Sequence, residues 1–192
     1  MNMKKGLLLA TLSLTVLLFA FTPKEKAAYT VDASKSSVKW TGYHLAKSYE
    51  HNGNVAIKSG SLEVDGGKIT GGSFVIDMTT ISNNDLDDKK KNAKLVGHLK
   101  SDDFFAVKKH PEAKLVITKV EGNKASGEIT IRGITEAISF DLADVKVTDD
   151  MVSASATLKV DRTKHEVSYG WTLENAMLSN EFQLEVSIMA SK

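Results

Sequence analysis

The sequence predicts an all-β fold in which about eight antiparallel strands close into a barrel that carries a short helical lid insertion. Three observations point there. From Tyr29 onward apolar residues recur at every second position far more often than at every third or fourth, the period of a strand with one buried face. Turn signals built on glycine or paired aspartates separate the runs. One long stretch, 84–109, loses the alternation and scatters Leu and Phe at spacings that suit short helical turns.

Taken in order, Val38-Lys39-Trp40-Thr41 and Tyr43-His44-Leu45 alternate around Gly42, where a strand can bend or bulge. Gly53 to Val64 and Lys68 to Met78 form a hairpin across Asp65-Gly66-Gly67, whose glycines supply the positive φ of a tight turn. Lys114 to Val120 and Lys124 to Arg132 form the next pair across Glu121-Gly122-Asn123, and Gly133 opens the following turn. Ile138, Phe140 and Leu142 share a face of a strand running to Val147, with the alternation slipping by one at Ala143-Asp144, the mark of a bulge. After Asp149-Asp150, one face of the next strand holds Ala154, Ala156, Leu158 and Val160, and one face of the last holds Phe182, Leu184, Val186 and Ile188.

Two stretches interrupt this order. Between Asn84 and Lys109, Leu86, Leu95, Leu99, Phe104 and Phe105 stand among charged residues, which reads as a lid laying its apolar side chains on one barrel end. Tyr169-Gly170-Trp171 through Leu173 to Met177 joins the last two strands, and its Trp and Met also call for cover. Composition leaves two readings open for both loops: they plug the barrel, or they cover a ligand.

The 192 residues are 42% hydrophobic and 26% charged, enough apolar content for one ordinary core and too much for a disordered chain. With a formal charge of +1 there is no global field to steer a polyanion, so nucleic-acid binding is not expected. At the N-terminus Lys4 and Lys5 precede an apolar run, Gly6 to Phe21, that is shorter than the roughly 18 residues a span requires. We read residues 1–28 as a secretory signal and short leader and 29–192 as the exported domain, with an uncleaved anchor as the alternative.

The absence of cysteine removes thiol nucleophiles, disulfides and Cys-based zinc sites at once. His44, His51, His98, His110 and His165 lack the i, i+2 or i, i+4 spacing of a metal site. No Gly-x-Ser-x-Gly elbow, Ser-x-x-Lys motif or phosphate loop is present, and no acid and base pair can be inferred. Neither enzymatic activity nor a cofactor is expected. The run Lys89-Lys90-Lys91 reads either as a solvated face or as a transient contact with an anionic membrane surface.

Several segments resemble the YceI-like family. Tyr29-Thr30-Val31-Asp32 with Ser36-Ser37-Val38-Lys39-Trp40-Thr41-Gly42 is similar to its opening, as is Gly71-Gly72-Ser73-Phe74-Val75-Ile76-Asp77-Met78. His98-Leu99-Lys100-Ser101-Asp102-Asp103-Phe104-Phe105 with His110-Pro111 and Ala113-Lys114-Leu115 resembles its central motif, and Gly127 to Thr135 its later hairpin. The resemblance spans nearly all of the mature chain. It departs at His165-Glu166, where an aromatic or small pair is expected, and over Trp171 to Asn180. It implies a lipocalin-like barrel, typically periplasmic, whose apolar interior holds a polyisoprenoid, an isoprenoid quinone or a fatty-acid derivative, and it favours ligand cover over plug for the loops.

On this reading Trp40, Ile57, Leu62, Phe74, Ile76, Leu115, Ile117, Phe140, Leu158, Phe182 and Leu184 are expected as the wall of the ligand site. Leu95, Leu99, Phe104 and Phe105 are expected to line the lid, and Tyr43, His98 and Arg162 to supply polar contacts. A protein-interaction or stress-associated module with a barrel filled by its own side chains is the alternative, an enzyme a third. An exposed barrel end leaves room for a homodimer.

Overall fold

A computed structural model describes residues 26–45, 49–168 and 175–192. The strands are β1 (Ala27–Val31), β2 (Ser37–His44), β3 (Glu50–Asp65), β4 (Lys68–Asp77), β5 (Glu112–Glu121), β6 (Lys124–Ile131), β7 (Ile134–Val147), β8 (Met151–Asp161) and β9 (Leu178–Ser191), with a helix α1 (Lys89–Leu99) between β4 and β5. The expected signal segment, all but its last residues, and the Tyr169-Gly170-Trp171-to-Leu173 connection lie outside the described residues.

Sequential antiparallel pairing from β2 to β9 is closed by β2 pairing with β9, so the sheet is a ring. The short β1 does not add a ninth position. It runs in line with β2, pairing with Ser61 to Val64 of β3 and with Ala190 and Ser191 of β9, so β1 and β2 share one of eight positions. The turn between them is held by Asp32, whose Oδ1 accepts from the Ser34 N–H and hydroxyl at 3.0 and 2.6 Å. The Ser34 hydroxyl, with Lys35, holds the Asp32 carboxyl down to about 2.

The local chemistry follows the sequence closely. Gly66 and Gly67 take φ of 56° and 78° in the β3–β4 turn, a conformation that costs glycine nothing. The register of β7 against β8 shifts between Ala143 and Lys146, with Asp144 at φ 52°, and that of β2 against β9 shifts between Gly42 and His44. Along β3, β4, β7 and β8 the buried positions alternate with exposed ones, so each strand gives one face to the interior.

Gly53 shows how closely the chain is layered. It pairs with Trp40 across β2–β3, and the Trp40 Nε1–H donates to the Ser82 carbonyl at 3.0 Å as residues 81–84 cross over β3. A Cβ at residue 53 would sit 1.8 Å from that carbonyl oxygen and 2.8 Å from Trp40 Cζ2. Gly53→Ala is therefore expected to lower stability by about 2–3 kcal/mol through forced displacement of backbone, measured by urea unfolding. A midpoint unchanged from the parent would show that the crossover yields freely.

The two barrel ends differ. At the end carrying the β3–β4, β5–β6 and β7–β8 turns the interior is solid: Tyr29, Val64, Ala125, Val152 and Ala190 are buried, and the Tyr29 hydroxyl donates to the Thr148 carbonyl at 2.9 Å. At the other end the cover is α1 and the chain that follows it. Asp88 caps the helix by accepting from the Lys90 and Lys91 N–H groups at 2.9 and 3.0 Å. Leu99, Phe104 and Phe105 are buried beneath, and Leu95 packs against the same core.

Candidate functional site

Between the solid end and the lid the barrel is hollow. A cavity of about 450 Å³ runs up its interior, within the range of small-molecule sites. Inward-facing positions of every strand from β2 to β9 contribute to its wall, because a period-two strand in a closed sheet has one face with nowhere else to point.

All of the expected wall residues line it: Trp40, Ile57, Leu62, Phe74, Ile76, Leu115, Ile117, Phe140, Leu158, Phe182 and Leu184. So do the expected lid residues Leu95, Leu99, Phe104 and Phe105, and the polar candidates Tyr43, His98 and Arg162. Val38, Met78, Ile81, Ile131 and Val167 line it too and were not among the expected residues, while Met177, expected to be covered, borders the cavity yet stays 56% exposed. Of these, Val38, Met78 and Ile131 could have been found by extending the alternation already read along β2, β4 and β6; Ile81 and Val167 sit in connections, where no period exists.

The lid is joined to the wall through rings. His98 meets Phe104 with centroids 5.5 Å apart, Phe104 meets Phe105 edge to face at 4.9 Å, and Phe105 meets Phe182 of β9 at 6.3 Å. Arg132, in the β6–β7 turn, adds a polar tie by donating from Nη1 to the Phe104 and Glu166 carbonyls at 2.7 and 2.6 Å. Lys100 Nζ reaches the Thr79 carbonyl at 2.7 Å. The cover is thus fastened on several sides.

Polarity is distributed unevenly. Toward the solid end the lining is apolar, with Leu62, Ile69, Ile117, Leu142, Ala154 and Ile188, whereas Tyr43, His44, His51, Ser179 and Glu181 gather at the lid end. There His51 is held from both sides: Nδ1 lies 2.7 Å from Asp85 Oδ2 and Nε2 lies 2.9 Å from the Tyr49 hydroxyl. Burial works against the Asp85 charge, but the Asn52 N–H, His51 and Asn83 outweigh it and hold the carboxyl below its ordinary range. With the Asp85 carboxylate as acceptor, Nδ1 is the donor of that bond, and the Tyr49 hydroxyl closes the other side of the ring. Burial, then Glu50 and Glu185, pushes the Tyr43 phenol up, so it stays a neutral donor.

Arg162 is 4% exposed, and all five of its N–H groups are engaged within the chain. Nε donates to the Ser179 carbonyl, Nη1 to the Val167 carbonyl and Asn175 Oδ1, and Nη2 to the Asn175 and Leu178 carbonyls. The residue therefore ties Val167 to Asn175, Leu178 and Ser179, and a head-group contact from it would be electrostatic rather than a direct hydrogen bond. Among the described residues no three His, Asp or Glu side chains come together as a metal site would require. The geometry offers a greasy chamber with a polar mouth.

A family model described as the YceI-like domain matches residues 29–190. The chain is 31% identical over 138 residues to a UPF0312 protein of Pseudomonas putida (strain W619), covering 68% of this chain and 69% of that one. It is 30% identical over 145 residues to a UPF0312 protein of Shewanella denitrificans, covering 72% of each. Among solved structures, BcnA of Burkholderia cenocepacia superposes with a TM-score of 0.62 at 22% identity, over 84% of this chain and 99% of that one. A polyisoprenoid binding domain from Saccharophagus degradans superposes with a TM-score of 0.60 at 13% identity, over 85% and 97%. At those identities the likeness is one of fold.

Proposed function

Because the chain belongs to the YceI-like family, we propose that it is an exported, most simply periplasmic, binding protein that holds a long-chain isoprenoid-type lipid in its barrel for transport, storage or scavenging. The observation that carries this reading is the apolar cavity of about 450 Å³ enclosed by the closed sheet. The structural likeness to a polyisoprenoid binding domain supports it, as does the charged and apolar N-terminal run for export.

The driving force is removal of methylenes from water, about 0.8 kcal/mol for each one buried, set against the cost of immobilising a flexible chain. No directional chemistry is needed inside, and the wall supplies none. The tail lies toward Leu62, Ile69 and Ile117, and the polar head stays at the mouth with Tyr43 and His51, where hydrogen-bonding groups are within reach. Cavity length and width then select the ligand, and the role is binding rather than catalysis.

Native mass spectrometry of the mature protein, produced in an exporting host and purified without detergent, tests this. A bound mass that extracts into organic solvent as a prenyl lipid is the expected result. Protein that stays empty, and shows no thermal shift when a prenol is added from detergent, would remove the assignment.

A further inference from the structure

Six large apolar side chains are exposed among the described residues: Leu45, Tyr49, Val116, Val145, Met151 and Met177. Val116, Val145 and Met151 stand apart on the outer sheet face and at a turn, as single exposed hydrophobics commonly do. Leu45, Tyr49 and Met177, exposed to 54%, 49% and 56%, are different because they converge.

The Leu45 N–H donates to the Met177 carbonyl at 2.8 Å, and the His44 N–H to the Tyr49 carbonyl at the same distance. The Tyr49 ring packs edge-on against His44 and His51, at 5.6 and 4.7 Å between centroids. His44, His51 and Met177 are themselves cavity lining. The three apolar side chains therefore form a rim on the mouth of the chamber, held in place by backbone hydrogen bonds and by the Asp85–His51–Tyr49 chain.

Positive charge is tied to this side of the mouth through α1, whose Asn92 donates to the Asn83 and Leu86 carbonyls beside Asp85. Asp85, which anchors His51, stands four residues before Lys89, and Lys89, Lys90, Lys91 and Lys94 are all exposed on the first turns of α1. Asp88 is engaged in capping the helix, and Asp85 accepts from His51, Asn52 and Asn83. Asp87, Glu50 and Glu181 stand near it, and other carboxylates, Asp77, Asp102 and Asp161 among them, belong to the same barrel end, so the attraction is moderate.

We propose that this rim docks the cavity mouth into the surface of an anionic lipid bilayer, which supplies or receives the ligand. The inference rests on the lipid-binding reading and adds the face that does the loading. A tail passing from bilayer to barrel through water would expose its methylenes on the way. A mouth seated among acyl chains removes that barrier, since Leu45 and Met177 replace water at the contact and the Tyr49 ring suits the headgroup boundary. The lysines of α1 meet anionic headgroups, so affinity is partly salt-sensitive.

The test uses the full mature chain with vesicles of phosphatidylcholine, with and without phosphatidylglycerol. Wild-type protein is expected to sediment with the mixed vesicles, more weakly with the neutral ones and more weakly in high salt. Leu45→Glu, at an exposed position outside the cavity lining, is expected to weaken binding to both vesicle types about fivefold with an unchanged melting curve. Lys89→Gln, Lys90→Gln and Lys91→Gln together are expected to weaken only the phosphatidylglycerol-dependent part. Unchanged vesicle binding by the Leu45 variant overturns the proposal, and so does a wild-type dimer in sedimentation that the same variant splits, which would give the rim to a second copy. Occupancy by a prenol delivered from detergent is read in parallel: protein that fills normally but binds vesicles without its rim refutes docking alone, whereas protein that never fills refutes the lipid-binding reading.

Discussion

Ala156→Phe is expected to empty the barrel of its ligand while leaving the fold intact. Ala156 lies midway along β8, paired with Leu142 on one side and Val186 on the other, and all three face the cavity. Small-to-large changes destabilise a protein when the core is already full; here the added ring enters open space and should leave stability unchanged or slightly raised. A benzene ring occupies an engineered cavity of about 150 Å³, roughly a third of this one, so several methylenes of a bound chain would be displaced. At about 0.8 kcal/mol each, losing four costs about 3 kcal/mol, or more than a hundredfold in affinity. Thr157→Phe is the control, because its exposed side chain points outward from the same strand. Lipid occupancy by native mass spectrometry should fall in the first variant and persist in the second, with matching urea midpoints. Full occupancy in the Ala156 variant would mean that the ligand lies elsewhere.

The wall was readable before the structure because a strand leaves little freedom. Once Phe74 and Ile76 fall on one face of β4, closing the ring decides that the face is interior, and the same logic places Phe182 and Leu184 on β9. β1 was less legible as a separate element, having only five residues, with Tyr29 and Val31 as its buried positions. The lid region stood out through its broken period, but α1 itself starts on three lysines and gives few of its residues, Leu95, His98 and Leu99, to the cavity, which is too little for a clear amphipathic stripe. What could not be read is contact between distant segments. The bond from His51 to Asp85 joins residues 34 apart, and no local pattern marks either as a partner of the other. Asp85 comes to His51 because residues 82–84 run along β3, with the Ser82 and Asn84 N–H groups donating to the Asn54 and Asn52 carbonyls, a route permitted by the missing side chain at Gly53.

Arg162 belongs to the same class of hidden feature, and Arg162→Ala is expected to give the largest loss of stability of any single change at the site. Its guanidinium is buried with neutral acceptors only, and the neighbouring Asp161 carboxylate is turned to the Thr163 N–H and hydroxyl at 2.9 and 2.6 Å. Burial lowers the Arg162 pKa, yet a guanidinium stays charged in proteins, so the charge rests on dipoles of the chain around it. Truncation would strip donors from the carbonyls of Val167, Asn175, Leu178 and Ser179 and open a void beneath them. Removing one partner from a buried charged network costs about 3–5 kcal/mol, and Arg162→Lys, with three donors on a single point instead of a planar fork, should recover only part of it. Because Leu178, Ser179 and Phe182 line the cavity, the loosened start of β9 should also shorten ligand retention. Urea unfolding with limited proteolysis reads both effects: a midpoint within about 1 kcal/mol of wild type and no new cleavage between Glu166 and Met177 would show that the five hydrogen bonds are incidental, whereas early cleavage there with the rest of the barrel intact identifies Arg162 as the residue that fastens the lid end to the wall.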